Sequence, residues 1–209
     1  KQDKSTILVA RNNDRNELNS EIHNRLVEKG TLKNECLLNS VNQYGIETSN
    51  PYAIGEKVIF TKNDYKLKDT NGETVGIKNG QLGKIINIYG PKVTVQTNTN
   101  QNVIFDTREY KHFDYGYAMT TFKAQGITVD NALIVHDSTQ KNSNTRNKIY
   151  VDVSRAKKSV KIFTDDKEAL VKQAKRFQQK ITSSTFTPYI AKGKERKTIH
   201  VSKEKSKEI

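Results

Sequence analysis

Residues 117–126, Tyr117-Ala118-Met119-Thr120-Thr121-Phe122-Lys123-Ala124-Gln125-Gly126, decide the fold class. Residues 113–118 (FDYGYA) lead into them as a strand, 120–126 (TTFKAQG) form a helical turn closed by Gly126, and 132–136 (ALIVH) return as another strand. Strand, turn and strand with apolar runs of this kind belong to a parallel α/β sheet. The turn falls at the carboxyl edge of that sheet, where open α/β sheets bind ligands. Two hydroxyls, a cation, an amide and a glycine suit a phosphate or a nucleic-acid backbone. The same residues also suit an ordinary amphipathic turn with a glycine cap.

Downstream, residues 137–147 (DSTQKNSNTRN) are polar and loop-like, a short helix follows at about 148–157, and 159–164 (SVKIFT) is a strand. Asp165 and Glu168 have the spacing of a capping box for a helix with Ala169, Leu170, Ala174 and Phe177 on its apolar face. Arg155, in Tyr150-Val151-Asp152-Val153-Ser154-Arg155-Ala156-Lys157, is carried on the short helix just ahead of the strand. A guanidinium held there can pair with charge developing on a transferring phosphoryl group. A surface arginine in an ion pair fits the same position.

Upstream, 6–10 (TILVA) read as a buried strand and Arg11-Asn12-Asn13-Asp14 offer helix-capping oxygens. Leu18, Ile22 and Leu26 then mark one helical face, stopped at Gly30. Between Gly55 and Asp106 the pattern changes to short β-rich runs, at 58–60, 84–88, 92–97 and 102–105. Turn signals separate them at Asn71-Gly72, Asn79-Gly80, Gly90-Pro91 and Asn98 to Asn100. About 50 residues of this kind describe a small antiparallel barrel. The expected organisation is an α/β domain over 1–55 and 107–186, interrupted by a β-barrel at 56–106. A basic tail follows over 187–209, with seven Lys or Arg against three Glu, a net of +4.

The net charge is +13, which favours a polyanionic partner through counterion release. Cys36 is the single cysteine, so an internal disulfide and a cysteine-based zinc cluster are excluded. It is expected as a small buried residue in a reducing, cytoplasmic protein. No apolar run approaches the roughly 20 residues of a membrane span. The polar start without Met is read as a cut from a longer protein. The four histidines are scattered, and no GxxxxGK[ST] phosphate loop occurs.

Two motifs in this order, about 30 residues apart, resemble superfamily 1 helicases. YAMTTFKAQG is similar to motif V (YAxTxHKSQG), and YVDVSRAKKSVKIFT to motif VI (YVAxTRA and a strand). GEKVIF (55–60), Asn63-Asp64 and KNGQLG (78–83) resemble the pattern that marks a Src-homology-3-like barrel inserted in the second RecA-like domain of RecD-like helicases. The nearest resemblance is to the helicase region of conjugative relaxase–helicases, the TraA and TraI group, over roughly 6–180. RecD-type repair helicases are the runner-up, and a non-catalytic single-strand-binding module is the rival from another class.

The resemblance implies the second motor domain of an ATP-dependent DNA helicase, unwinding 5′ to 3′ in the bacterial cytoplasm. Arg155 would reach the γ-phosphate, with Gln125 and Gly126 lining the ATP cleft. Thr121, Phe122, Lys123, Asn63 and Asn79 would line a path for single-stranded DNA. ATP and Mg2+ would be used by the full-length protein, whose first RecA-like domain and relaxase domain lie upstream. Without a phosphate loop the 209 residues alone are expected to be inactive as an ATPase. Phe122, Ala124 and Asp152 depart from the family's usual His, Ser and small residue.

Overall fold

In the parallel sheet, strands β1 (Ser5–Val9), β9 (Ala118–Thr120), β10 (Val129–His136) and β11 (Ala156–Thr164) run in the order β11-β10-β1-β9. These assignments come from a computed structural model that describes residues 5–42, 45–176, 186–187 and 200–201. The apolar runs explain the core. Leu8 lies between Ile134 and Met119 in register, and all three are buried, with Ala132 beside them. The helix α1 (Asn12–Glu28) follows β1 and packs against β1 and β9.

The buried stripe of α1 is polar: Arg15, Asn19 and His23, with Leu18, Ile22 and Leu26 half-buried beside it. The expected apolar face is corrected for a physical reason. β9 is an edge strand whose outer backbone groups need partners. The Asn19 amide supplies them, donating to Ala118 O at 3.1 Å while its Oδ1 accepts from Ala118 N at 2.7 Å. The N-cap of α1 is Arg11, with no side-chain cap bond, so none of the capping oxygens of Asn12 to Asp14 is used there.

A second, antiparallel sheet joins β4 (Lys57–Phe60), β5 (Leu82–Tyr89), β6 (Lys92–Thr97), β7 (Asn102–Asp106) and β8 (Phe113–Tyr115) in the order β7-β6-β5-β4-β8. The run 113–118 is therefore two strands, not one. Phe113–Tyr115 pairs with β4, and after Gly116 and Tyr117 the chain passes to β9 of the parallel sheet. A Cβ at Gly116 would lie 2.8 Å from the Val58 carbonyl carbon, so the close crossing requires glycine. Between α1 and β4 the chain forms an antiparallel pair that the sequence reading lacked, β2 (Lys33–Val41) and β3 (Glu47–Ile54).

The aromatic residues concentrate in this half. Tyr52 stacks within 4.9 Å of Phe113 and 4.8 Å of Tyr115, and Phe105 lies 5.3 Å from Phe113. β4 serves both cores by strand alternation: Val58 and Phe60 enter the antiparallel core, and Ile59 between them enters the core of the parallel sheet.

The helix α2 (Arg146–Val153) starts and ends earlier than expected, and β11 starts at Ala156. The helix α3 (Lys167–Ala174) is capped by Asp166, whose side chain accepts from Ala169 N at 2.9 Å. Asp165 instead accepts from Ser138 N and Oγ, 2.8 and 2.6 Å away, and these bonds hold its carboxyl below the usual range. Cys36 is half-buried, not buried, on β2. Phe177 lies outside the described residues, as does the tail from 187 except for Thr187, His200 and Val201. The short strands β12 (Phe186–Thr187) and β13 (His200–Val201) pair antiparallel. Among the described residues no helix is long and apolar enough to cross a membrane.

Candidate nucleic-acid interface

The turn that leaves β9 is held by backbone bonds. Thr121 N donates to Val9 O, Ala124 N to Thr120 O and Ile127 N to Ala124 O, at 3.1, 3.0 and 3.0 Å. Ala124 is buried against the parallel core while Phe122, two residues before it, is 80% exposed. Gly126 closes the turn with φ +86, in the left-handed region that glycine reaches without strain. The turn thus anchors itself through a small side chain and displays an aromatic one.

Facing it is a loop of the antiparallel sheet. Asn63 Oδ1 accepts from Asn79 N at 2.7 Å, and Gln81 Oε1 accepts from Lys78 N at 3.0 Å. Gly80 donates to Phe60 O at 2.8 Å and adopts φ +85. A Cβ there would come within 3.3 Å of the Ile127 side chain, so the two elements touch closely.

Between them lies an open cleft of about 950 Å³. Phe122, Lys123, Gln125 and Gly126 line one side, Lys78, Asn79 and Gln81 another, and Asn98, Thr99 and Gln101 a third. Its lining has two lysines and no carboxylate. The Lys123 ammonium is half-buried, and its pKa is lowered by that burial and by the nearby Arg15 cation, against an opposing pull from Asp114. A phosphodiester in the cleft would pair with the Lys123 and Lys78 cations of the lining, and an exposed phenyl ring offers a face to a base. Amides and hydroxyls on the other walls give hydrogen bonds without selecting a sequence.

Of the residues expected from sequence, Phe122, Lys123, Asn79, Gln125 and Gly126 come together here. Gln125 and Gly126, expected beside a nucleotide, thus share a cleft with residues expected on a DNA path. Asn63 supports the wall by holding the Asn79 backbone. Thr121 is outside that lining: its Oγ1 donates to Val9 O at 3.4 Å. Arg155 is outside the lining, just after α2, with its carbonyl accepting from Val129 N at 2.9 Å. Its Nε donates to Val151 O and its Nη2 to Ser154 Oγ, both at 3.1 Å. Lys78, Gln81, Asn98, Thr99 and Gln101 were missed. Their signal was the turn composition at 78–80 and 98–100, which marks loops without saying what they face.

The profile of the viral superfamily 1 RNA helicase core domain matches residues 31–164. A probable conjugal transfer protein TraA of Sinorhizobium fredii is 28% identical over 137 residues, 63% of this chain and 11% of that protein. The RecBCD enzyme subunit RecD of Mycobacterium tuberculosis is 29% identical over 112 residues, 54% of this chain and 18% of that protein. The chain therefore spans only a small part of these relatives. The crystal structure of Pif1 helicase from Bacteroides with ADP-AlF3 and single-stranded DNA aligns with a TM-score of 0.51 at 17% identity, covering 78% of this chain and 40% of that one. Matched by that profile over more than half its length, the chain belongs to the superfamily 1 helicases, as a helicase domain of the RecD-like kind.

Proposed function

We propose that this chain is the second motor domain of an ATP-dependent DNA helicase that unwinds 5′ to 3′ and serves conjugative DNA transfer in the bacterial cytoplasm. In this reading residues 1–55 and 107–186 are the RecA-like domain, 56–106 the inserted Src-homology-3-like barrel, whose sheet also takes in β8 at Phe113–Tyr115 before the chain returns to the parallel sheet, and 187–209 a basic tail. A first RecA-like domain with the phosphate loop, and a relaxase domain, lie upstream in the full-length protein. ATP binds between the two motor domains with Mg2+, which supplies charge neutralisation at the phosphates.

The chain's own residues fit that nucleotide. Arg155 commits Nε and Nη2 to Val151 O and Ser154 Oγ, which fixes the plane of the guanidinium and leaves Nη1 for a γ-phosphate oxygen. Gln125 and Gly126, which share a lining with Phe122 and Lys123 and not with Arg155, would meet the nucleotide from the end of that turn. Thr121, Phe122, Lys123, Asn63 and Asn79 form or support the single-strand path.

The carrying observation is the acid-free cleft in which exposed Phe122 and half-buried Lys123 face Lys78 and Asn79. The test is fluorescence anisotropy of the 209-residue chain with a labelled oligonucleotide across a salt series. Affinity falls steeply with salt, and Phe122→Ala weakens binding by about 1–3 kcal/mol, the worth of one stacked base. Binding that ignores both salt and Phe122 sinks the reading.

A further inference from the structure

One exposed aromatic side chain on a surface needs no explanation by itself, but Tyr65 is exposed and also seated. It is 61% exposed and lies across Gly76, where a Cβ would stand 3.0 Å from the ring's Cδ1 and 3.7 Å from its Cε1. Gly76 lines the cleft, and its neighbours Val75 and Ile77 are buried in the antiparallel core. A side chain at position 76 would push the ring off its seat. A phenol therefore rests on bare backbone at the cleft wall, with its other side open.

The segment that carries the ring is pinned. Asp64 N donates to Ile77 O at 2.9 Å and Ile77 N to Asp64 O at 2.6 Å, which locks the residue before Tyr65 to the residue after Gly76. Asp64 Oδ1 accepts from Lys66 N at 2.7 Å, so that carboxylate is turned into its own loop. The Tyr110 hydroxyl donates to Lys62 O at 2.9 Å and holds the approach to the same loop. Lys62, Lys66 and Lys78 around the ring are exposed, and Lys78 lines the cleft.

We propose that Tyr65 is a second stacking platform for single-stranded DNA, carried by the barrel wall of the cleft, beside Phe122 on the turn after β9. The inference rests on the proposed reading of the cleft as a strand path, and adds to it a residue that binds. A base stacks on the open side of the phenol, and the contact tolerates any sequence because every base has a π-face. The seat on Gly76 orders the ring in advance, so little side-chain freedom is lost when the base arrives. Lys66, next in the chain, and Lys78, two residues past Gly76, supply cations for the flanking phosphates. Two platforms on segments far apart in sequence favour a strand of several nucleotides over a lone nucleotide.

The experiment uses the whole 209-residue chain, which contains no tryptophan. Tyr65→Trp therefore places a single indole at the site. Tyr89→Trp is the control, because Tyr89 is 82% exposed at the end of β5 away from the cleft residue Gln81, roughly 23 Å along the strand. Unlabelled oligothymidine quenches the emission of Tyr65→Trp saturably and leaves that of Tyr89→Trp unchanged. By anisotropy, Tyr65→Ala weakens binding roughly five- to a hundredfold, the range one stacked base supplies. Its salt slope is retained, because no cation is removed, and its thermal midpoint matches wild type. Tyr65→Phe restores the ring and most of the affinity. Wild-type affinity in Tyr65→Ala, or equal quenching of both indoles, overturns the inference, and a loss in Phe122→Ala alongside leaves the cleft reading standing. An affinity loss that comes with a lower thermal midpoint and no quenching assigns the ring a structural role and overturns it too. Binding that ignores salt and both rings removes the cleft reading and this inference together.

Discussion

Substituting His23 by Ala should be among the most costly single changes in the chain. His23 is 1% exposed and sits between two carboxylates, with Nδ1 2.7 Å from Glu56 Oε2 and Nε2 2.9 Å from Glu35 Oε2. Glu56 is fully buried, and its other oxygen accepts from the Tyr117 hydroxyl at 2.6 Å. Glu35 is 45% exposed and recovers its solvation when the imidazole goes. Glu56 has no such escape and keeps only uncharged partners, the Tyr117 hydroxyl and the Ala53 backbone. Stranding one partner of a buried pair costs about 3–5 kcal/mol. In a domain of this size that corresponds to a fall in thermal midpoint of about 6–20 °C.

The pH dependence has a definite sign. Burial raises the Glu56 pKa above its ordinary 4.5, against the opposing pulls of Tyr117 and His23. A carboxyl raised in the folded state contributes stability fully present below pH 4.5 and lost as pH rises through the folded value. Removing His23 takes away one opposing pull, so the deficit of His23→Ala grows from about pH 4.5 upward. Urea unfolding of wild type and variant at a series of pH values measures both quantities. A loss below about 1 kcal/mol at pH 7, or a deficit that shrinks with rising pH, would refute the buried-pair account.

Two other predictions follow from single positions. In the full-length protein Arg155→Ala lowers DNA-stimulated phosphate release by roughly 10³-fold or more, and Arg155→Lys restores little because an ammonium lacks the planar fork. Near-normal turnover rejects that role. Gly116→Ala drives a methyl into the Val58 backbone, 2.8 Å from its carbonyl carbon and 2.9 Å from its oxygen. It lowers stability by about 1–3 kcal/mol, and an unchanged urea midpoint would show that the β4–β8 crossing is loose.

The parallel core was legible because it follows simple rules. TILVA and ALIVH are short apolar runs, and a glycine ends the turn between strands. What failed were the positions where polar residues are inside. The α1 stripe of Arg15, Asn19 and His23 is buried because an edge strand and two carboxylates need partners, and hydrophobic periodicity selects the leucines beside it. The β2–β3 pair escaped notice because Asn39, Ser40, Thr48, Ser49 and Asn50 give no apolar alternation. Five of the eight site residues were found in one cleft, since local motif spacing carries them. The Lys78 side of that cleft depends on contacts between segments distant in sequence, which no local pattern encodes.

The passage from the antiparallel sheet to the parallel one takes two residues, Gly116 and Tyr117. Tyr117 is tied down by its bond to Glu56, Gly116 N donates to Lys57 O at 2.8 Å, and Ile59 of the same β4 strand is set in the other core. A joint this short and this well bonded transmits torque and has almost no slack. The loops at 78–81 and 98–101 therefore ride with the turn at 121–126 as one jaw. In the proposed reading, a strand held in the cleft would move with that jaw as a whole.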